Sequence, residues 1–278
     1  MNENLKAVKY DIKQLQNIQD IFASKMQILL LLNFSDGAKN LKELELLTKS
    51  RSQNLLPKIG ELAKKGILKK CERGIYRATP AGEIIISKIL DLLDTCEILR
   101  NEFWLSHNLN AIPKPLLSNL SALNNSQFLQ SEVTLDAAQR ATIQFLENSK
   151  ENIWSISPVV SLDWAKTIAH QANHGVKVSI ITTEKVLKMA DSEEFKKFSS
   201  LNHSNIELWI YNDLKLAFMS DEKRIALALT DKRSNVLDLQ NFLICESPEA
   251  VEWGKALFNY IKNISTKLMK PSCMGICQ

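Results

Sequence analysis

Residues 24–82 read SKMQILLLLNFSDGAKNLKELELLTKSRSQNLLPKIGELAKKGILKKCERGIYRATPAG, and this stretch decides the fold of the N-terminal region. Its hydrophobic periodicity predicts three short helices, over residues 24–33, 41–48 and 51–65. Gly66 then ends the third helix in the manner of a C-terminal capping glycine. The N-terminal region is therefore predicted to begin as a small helical bundle.

Two helices of this bundle carry the expected core positions. The leucines and isoleucines predicted to face inward are Leu41, Leu44, Leu47, Leu55, Leu56, Ile59 and Leu62. Pro57 cannot lie deep in a regular helix without the loss of a hydrogen bond. We therefore expect the third helix either to start near Asn54 or to kink at Pro57.

A hairpin is predicted directly after the bundle. Residues 67–72 and 75–79 are β-prone, and Arg73-Gly74 forms a short turn between them. Three helices followed by a hairpin predict a winged helix-turn-helix, in which the third helix enters the DNA major groove. The ending YRATPAG, residues 76–82, matches the Y-x-x-T-x-x-G that closes many winged helices.

The side chains of the third helix and the hairpin suit contact with double-stranded DNA. Arg, Gln and Asn make bidentate contacts with base edges, and Lys and Arg neutralise phosphates. The predicted DNA-binding residues are Arg51, Ser52, Gln53, Asn54, Lys58, Lys69, Lys70, Arg73 and Arg77. The alternative is a charged, solvated face on a domain that binds protein.

The charge of the chain is concentrated in this region. The 278 residues carry a net charge of +4, yet residues 41–88 alone carry eleven Lys or Arg against five Glu. Such a basic segment favours nucleic-acid contact at one end of the protein. The polar N-terminus predicts no signal peptide, and no apolar run is long enough to span a bilayer. Together with five cysteines, an odd number, this predicts a cytoplasmic protein without membrane partners.

Two helical segments flank the predicted winged helix and suggest a homodimer. Residues 1–23 show helical spacing, which fits packing on the winged helix, pairing of two subunits, or simple capping of the domain. Pro80 is followed by a predicted helix over residues 81–103, whose apolar stripe includes Ile84, Leu92 and Leu93. Helix-turn-helix dimers read paired half-sites, so this stripe favours dimerisation, although it could equally pack inside one chain.

A family resemblance appears in the segment that follows. Residues 103–123 begin FWLSHNLNAIP, with Trp104, His107, Ile112 and Pro113 as the specific constellation. This segment, with the helices and YRATPAG before it, resembles archaeal winged-helix transcriptional regulators that carry a FilR1-type effector domain. The resemblance covers nearly the whole chain and is strongest over residues 24–123. It implies control of transcription and a C-terminal domain that senses an unnamed small-molecule or protein effector.

Strands alternate with helices after residue 124, which predicts an α/β domain with a mixed sheet. Ligands bind at the carboxyl ends of strands in such sheets. The residues predicted to contact a ligand are Ser155, Ser157, Thr182 and Thr183 there, and Trp104 and His107 in the resembling segment. Strands are also expected at residues 127–133, and helices at 184–198 and 248–268.

The predicted order of the chain is a winged helix (1–80), a helical linker or dimerisation segment (81–123), an α/β effector domain (124–270) and a mobile tail (271–278). The fold class is thus multidomain, α+β followed by α/β. The α/β part also looks like a degenerate half of a phospholipase-D-like protein. Catalysis in that superfamily needs a His two residues before a Lys, and Asp213 precedes Lys215 here. We therefore predict a binding module and no enzyme.

Other candidate sites are weak. His170 and His174 share a helix face at metal-ligand spacing, but the arrangement lacks the Glu of a zinc protease, so no metal and no cofactor is predicted. Cys273 and Cys277 form a C-x-x-x-C pair in the tail and allow a redox-responsive regulator as an alternative. A further alternative is a protein-interaction module of the transcription machinery with no specific operator. The favoured function is a DNA-binding transcriptional regulator.

Overall fold

The computed structural model of the chain describes residues 12–130, 135–190 and 205–268. The chain divides into two compact units, which we call unit 1 (residues 1–93) and unit 2 (residues 94–278). Within the described ranges, no helix is both long and apolar enough to cross a membrane. The finer division into winged helix, linker, effector domain and tail stays a prediction.

Unit 1 consists of short helices and a small antiparallel sheet. Its elements are α1 (Ile12–Ile21), α2 (Lys25–Leu32), β1 (Lys39–Asn40), α3 (Leu41–Thr48), α4 (Ser52–Lys64), β2 (Leu68–Lys70), β3 (Ile75–Ala78) and α5 (Pro80–Ile98), whose last residues belong to unit 2. The strands pair in the order β1-β3-β2, and both pairings are antiparallel. The three predicted helices and the hairpin are therefore present, with shorter strands than predicted.

Side chains at the helix ends explain these boundaries. Ser24 caps α2 by accepting a hydrogen bond from the Gln27 N–H. Asn40 and Glu43 form a reciprocal capping box at the start of α3. Lys49 ends α3 in the left-handed region, at φ 51°. The second predicted helix thus has the predicted bounds.

The core of unit 1 is formed by leucines that are fully buried, among them Leu30, Leu44 and Leu62. Two of the predicted core positions are wrong: Leu47 and Leu56 are 51% and 44% exposed. Each lies at the solvent edge of the buried stripe, which runs through Leu44 and Thr48 on α3 and through Leu55, Ile59 and Leu62 on α4.

Pro57 lies inside α4, which begins at Ser52. The predicted start near Asn54 is therefore wrong. Pro57 has no N–H to donate to the Gln53 carbonyl, so one hydrogen bond of the second helical turn is absent.

The ending YRATPAG locks the hairpin to the end of α4. The Thr79 hydroxyl donates to the Gly66 carbonyl oxygen at 2.6 Å and accepts from the Gly82 N–H at 3.1 Å. A Cβ at Gly82 would lie only 2.1 Å from the Ile67 carbonyl oxygen, so only glycine fits here. The motif therefore fixes the exit of the hairpin relative to the helix before it.

The helix after the hairpin is shorter than predicted. α5 ends at Ile98, and Asn101 caps a separate short helix, α6 (Glu102–Ser106). Three residues of its predicted stripe, Ile84, Leu92 and Leu93, are exposed rather than packed within the chain.

Unit 2 is built on an eight-stranded mixed sheet. Its elements after α6 are α7 (Lys114–Leu117), β4 (Gln127–Gln130), α8 (Leu135–Asn148), β5 (Asn152–Ile156), α9 (Leu162–Asn173), β6 (Lys177–Thr182), α10 (Glu184–Ala190), β7 (Ile206–Ile210), β8 (Leu216–Ser220), β9 (Ile225–Leu229), β10 (Asn241–Cys245), α11 (Pro248–Asn263) and β11 (Thr266–Lys267). The strand order is β11-β7-β6-β5-β8-β9-β10-β4. β5, β6 and β7 pair in parallel and the other pairings are antiparallel, as the predicted mixed sheet requires.

Helices cover both faces of this sheet. α11 packs on one face, where a Cβ at Gly254 would lie 2.8 Å from side-chain atoms of both Phe218 and Ile225. α8 and α9 pack on the other face, over Ile153 and Val178.

Three predicted elements of unit 2 differ from the described helices and strands in their bounds. The closing helix ends at Asn263, not at residue 268, because Thr266–Lys267 instead pairs with β7. The predicted strand 127–133 is described up to Gln130, and the predicted helix 184–198 up to Ala190. The remaining residues of both, like the tail with Cys273 and Cys277, lie outside the described residues.

Candidate functional site

Three predicted DNA-binding side chains are available at the start of α4. Arg51 is the residue before the helix, and Gln53 and Asn54 lie in its first turn; all three are exposed. Their side chains make no hydrogen bond to any residue that the structure describes. Ser52 differs, because it is half-buried and its N–H donates to the Glu45 carboxylate.

Lys58 lies one helical turn beyond Asn54, but its side chain is directed towards the start of α2. Its ammonium donates to the Ser24 hydroxyl at 3.1 Å, at the start of α2. Lys58 is half-buried, since it lies three residues after Leu55 and four before Leu62, both of which are buried. The structure therefore brings Lys58 to the edge of the buried face and not beside Gln53.

The hairpin carries four cations within nine residues. Lys69, Lys70, Arg73 and Arg77 are all exposed, and none of them forms an ion pair within the described parts of the chain. Lys69 and Arg77 are cross-strand partners. Like charges directly opposite each other destabilise a strand pair, so this arrangement costs stability in the free protein. An anion bound between the two strands would remove that cost.

The tip of the hairpin also has an unfavourable residue for its backbone. Arg73 has φ 58°, in the left-handed region, next to Gly74 at φ 73°. Glycine or asparagine is favoured in this conformation, and another residue costs roughly 1–2 kcal/mol. The sequence places a cation at this point despite the cost.

The outer face of α4 is small and apolar beyond Asn54. Leu56, Pro57 and Gly60 are exposed there. A Cβ at Gly60 would meet no atom within 4 Å, so packing within the chain does not require glycine. This surface allows the helix backbone to approach a partner closely, and sequence reasoning alone did not identify it.

In unit 2, the carboxyl ends of β5 and β6 lie side by side, as predicted, because the strands pair in parallel. The Thr182 hydroxyl donates to the Ser157 carbonyl at 2.7 Å, and the Thr183 hydroxyl accepts from the Val186 N–H at 3.3 Å. The Thr182 hydroxyl therefore links the two strand ends, and the Thr183 hydroxyl caps α10.

A cavity of about 450 Å³ opens next to this edge, and Ser155 and Ser157 both line it. Its other walls include Ala217, Ala226 and Trp164. The alanines were not predicted as site residues, although the alternation of large and small residues in IALAL, residues 225–229, is a visible signal of them.

Trp104 and His107 lie among buried residues of unit 2 and do not line the cavity. His107 Nδ1 lies 2.8 Å from the Phe103 carbonyl oxygen, and Nε2 lies 3.3 Å from an Asp238 carboxylate oxygen. Both ring nitrogens thus have protein partners. Trp104 Nε1 is buried without a hydrogen-bond partner among the described residues.

Asp238 has an unusual environment for a carboxyl group. Burial alone raises the pKa of Asp238, but hydrogen bonds from the Asn241 side chain and from the Gln240 and Asn241 N–H groups, with one from His107, outweigh it. The pKa of Asp238 therefore lies below its usual value, and the group is held as a carboxylate beside His107.

The residues of the two other candidate sites, the histidine pair of α9 and the Asp213–Lys215 pair, make contacts with each other. His174 Nδ1 lies 2.7 Å from the His170 carbonyl oxygen, and the two rings are 4.1 Å apart. Asp213 and Lys215 form an exposed ion pair at 3.4 Å.

Comparison with known proteins gives a match over the helices and sheet of unit 2. Residues 135–264 match the middle-domain model of methanogenesis regulatory protein FilR1. A curated protein named methanogenesis regulatory protein FilR1, from Methanothrix harundinacea (strain 6Ac), is 26% identical over 264 residues. The match covers 89% of this chain but 57% of that relative, so the chain spans little more than half of the relative's length. The FilR1-type resemblance is confirmed in part, for residues 135–264, whereas residues 24–123, where the sequence resemblance is strongest, lie outside the family-model match.

Solved structures show only distant likeness. TrmBL2, described as an archaeal chromatin protein with a novel mode of DNA binding, is 16% identical, with a TM-score of 0.42 over 93% of this chain and 100% of that one. Nuc, a phospholipase D family member from Salmonella typhimurium, is 12% identical, with a TM-score of 0.40 over 52% of this chain and 99% of that one.

Proposed function

We propose that this protein is an archaeal transcriptional regulator in which unit 1 is a winged helix-turn-helix that binds operator DNA. In this proposal α3 and α4 form the helix-turn-helix, α4 enters the major groove, and the β2–β3 hairpin is the wing. The FilR1 match over residues 135–264 and the name of the curated relative support a regulatory role. Asp213, at the position where a phosphodiesterase would need His, supports a protein without catalytic activity.

The observation that carries the proposal is the unpaired charge of the hairpin. Four exposed cations, two of them directly opposed as Lys69 and Arg77, have no acidic partner among the described residues. Directly opposed like charges destabilise a strand pair and are not required for solubility. Bound to DNA, the same cations would contact phosphates, which are the anions that the free protein lacks here. Arg51, Gln53 and Asn54 then read bases, since such side chains match guanine and adenine edges.

The proposal includes a cytoplasmic homodimer. Ile84, Leu92 and Leu93 are exposed on α5, with Ile18 and Phe22 exposed on and after α1. Burying such residues against a second copy would remove apolar surface from water and pair two recognition helices. Unit 2 would then act as the sensor, by favouring one dimer arrangement and so changing the spacing of the two helices.

DNase footprinting on the region upstream of the protein's own gene tests this function. A dimeric regulator should protect two half-sites about 10 base pairs apart or a multiple of that spacing. The variant Gln53→Ala should lose protection, and Lys177→Gln, at an exposed site in unit 2, should retain it. Uniform, weak protection that is equal in both variants would contradict operator binding.

A second candidate function has one observation in its favour. Leu46, Leu47 and Leu56 are exposed on α3 and α4, which is typical of a surface that binds protein. If unit 1 is such a module of the transcription machinery, Leu46→Ser should abolish partner binding while DNA affinity stays weak and indifferent to sequence.

A further inference from the structure

The cavity of unit 2 results from a regular pattern of small residues. On β8 and β9, the large side chains Leu216, Phe218, Leu227 and Leu229 face the core beneath α11. The opposite face of the same strands carries alanines instead. Ala217 lies directly opposite Ala228, and Ala226 lies directly opposite Met219. The floor of the space is therefore built by the sequence of two neighbouring strands, and loop residues 157–161 and 239–240 contribute to its walls.

One polar side chain on the floor of this cavity makes no hydrogen bond to the described parts of the chain. Ser155 lies on β5 between Ile180 of β6 and Met219 of β8, on the same face as the alanines. Its side chain is buried at 2% exposure, yet its hydroxyl makes no hydrogen bond to any described residue. The small exposed part of Ser155 opens into the cavity, so its hydroxyl can hydrogen-bond a molecule bound there.

The remaining wall determines which molecules fit. Trp164 and Phe242 contribute aromatic surface, and the other polar walls are serines, Thr142 and Gln240. Among the described residues that line the cavity, none carries a charge. Burial of an ionised group without a partner is strongly unfavourable, so charged ligands are disfavoured. The volume of about 450 Å³ lies within the usual range for small-molecule sites.

We propose that this cavity binds an uncharged, mostly apolar small molecule whose one polar group hydrogen-bonds the Ser155 hydroxyl. The inference rests on the sensing role of unit 2 in the proposed function and names the chemical class of the effector. Ser155 is then the group that orients the ligand. The alanines of β8 and β9 determine how thick a ligand the cavity can hold.

Two dyes that differ only in a sulfonate test the ligand class on the full chain. N-phenyl-1-naphthylamine is uncharged, and 1-anilinonaphthalene-8-sulfonate is the same molecule with one anionic group. We expect saturable binding of the uncharged dye, at least about tenfold tighter than that of the sulfonate, since the cavity offers the anion no partner. Equal affinity for both dyes would overturn the proposal.

Three variants locate the binding. Ala226→Leu fills the cavity and should weaken the uncharged dye by about tenfold or more, with an unchanged or raised melting temperature. Ser155→Ala, which is expected to fold normally, should weaken it by about three- to tenfold through the lost hydrogen bond. Ala81→Leu is the same Ala-to-Leu substitution as Ala226→Leu, but at an exposed position of unit 1, and it should leave dye binding unchanged. Undiminished dye binding in Ser155→Ala and Ala226→Leu would overturn the proposal.

A DNA-binding measurement on the same samples separates this inference from the regulator. If the wild-type chain binds DNA but not the uncharged dye, only the ligand class is wrong. If it binds the dye but no DNA, the regulator is wrong and the cavity assignment stands.

Discussion

The opposed cations of the hairpin make a quantitative prediction for the double variant Lys69→Gln/Arg77→Gln. In the free protein the exchange relieves repulsion between cross-strand partners. The free energy of unfolding should therefore rise, by about 0.2–1 kcal/mol. Urea unfolding measures this change. The same exchange should weaken DNA binding, because two phosphate contacts are lost.

The salt dependence of DNA binding gives the magnitude. Each phosphate contact contributes about 0.9 to the slope of log K against log salt, so the double variant should lower the slope by about 1.8. Between about 50 and 200 mM salt, one contact corresponds to roughly a 3.5-fold loss of affinity, and two to about twelvefold. Fluorescence anisotropy on a labelled duplex measures the slope directly.

A matched control removes the effect of net charge. Lys177→Gln/Arg233→Gln also removes one Lys and one Arg, at exposed positions of unit 2 whose side chains make no ion pair with a described residue. Its slope should match that of the wild type. If the two double variants give the same slope, the hairpin does not contact phosphates and the reasoning is refuted.

Three glycine or carboxylate exchanges test other parts of the account. Gly82→Ala should lower the free energy of unfolding by roughly 1–3 kcal/mol in urea, because its Cβ would lie 2.1 Å from the Ile67 carbonyl; an unchanged value would contradict the close approach. Gly60→Ala should instead stabilise α4 by roughly 0.5–1 kcal/mol and yet weaken DNA binding by anisotropy, whereas unchanged affinity would place this face away from DNA. The lowered pKa of the Asp238 carboxyl stabilises the folded protein near neutral pH. This stabilisation is lost as the pH falls from 3.8, the ordinary pKa of the carboxyl, towards the lower pKa of the folded state. Asp238→Asn should therefore lower stability at pH 7 and flatten this acid limb in thermal melts, and an unaltered limb would contradict the His107–Asp238 arrangement.

Local signals explain what could be predicted in unit 1. The bounds of α3 follow from Asn40 and Glu43, whose spacing is that of a capping box. The hairpin follows from two β-prone runs around Arg73-Gly74. Leu47 and Leu56 were misplaced because each lies three residues from a core residue, Leu44 or Ile59, and this spacing fits the solvent edge of a buried stripe as well as its centre.

Non-local contacts explain the errors that remain. The break after Ile98 carries no Gly or Pro, and the separate helix α6 depends on the burial of Phe103 and Trp104 in unit 2. Thr266–Lys267 has helical neighbours in sequence but becomes a strand because β7 offers a free edge. Such pairings depend on the assembled sheet, and sequence periodicity does not contain them.

The candidate sites also contain some residues that local sequence signals predict and others that depend on non-local contacts. The exposed cations of the hairpin could be predicted, because charge and turn are both local. The hydrogen bond of Lys58 to Ser24 could not be predicted, because Ser24 lies far away in the sequence. The cavity depends on alanines of two strands that meet only in the sheet, so the strand-end rule found Ser155 and Ser157 but not the walls around them.

The most direct test of the central claim is the affinity of the full chain for DNA from its own upstream region, compared with a random duplex of equal length at the same salt concentration. The account predicts that the upstream DNA binds about a thousandfold tighter or more, as specific regulators do. Equal, weak affinity for both duplexes would contradict operator binding and favour the protein-interaction module.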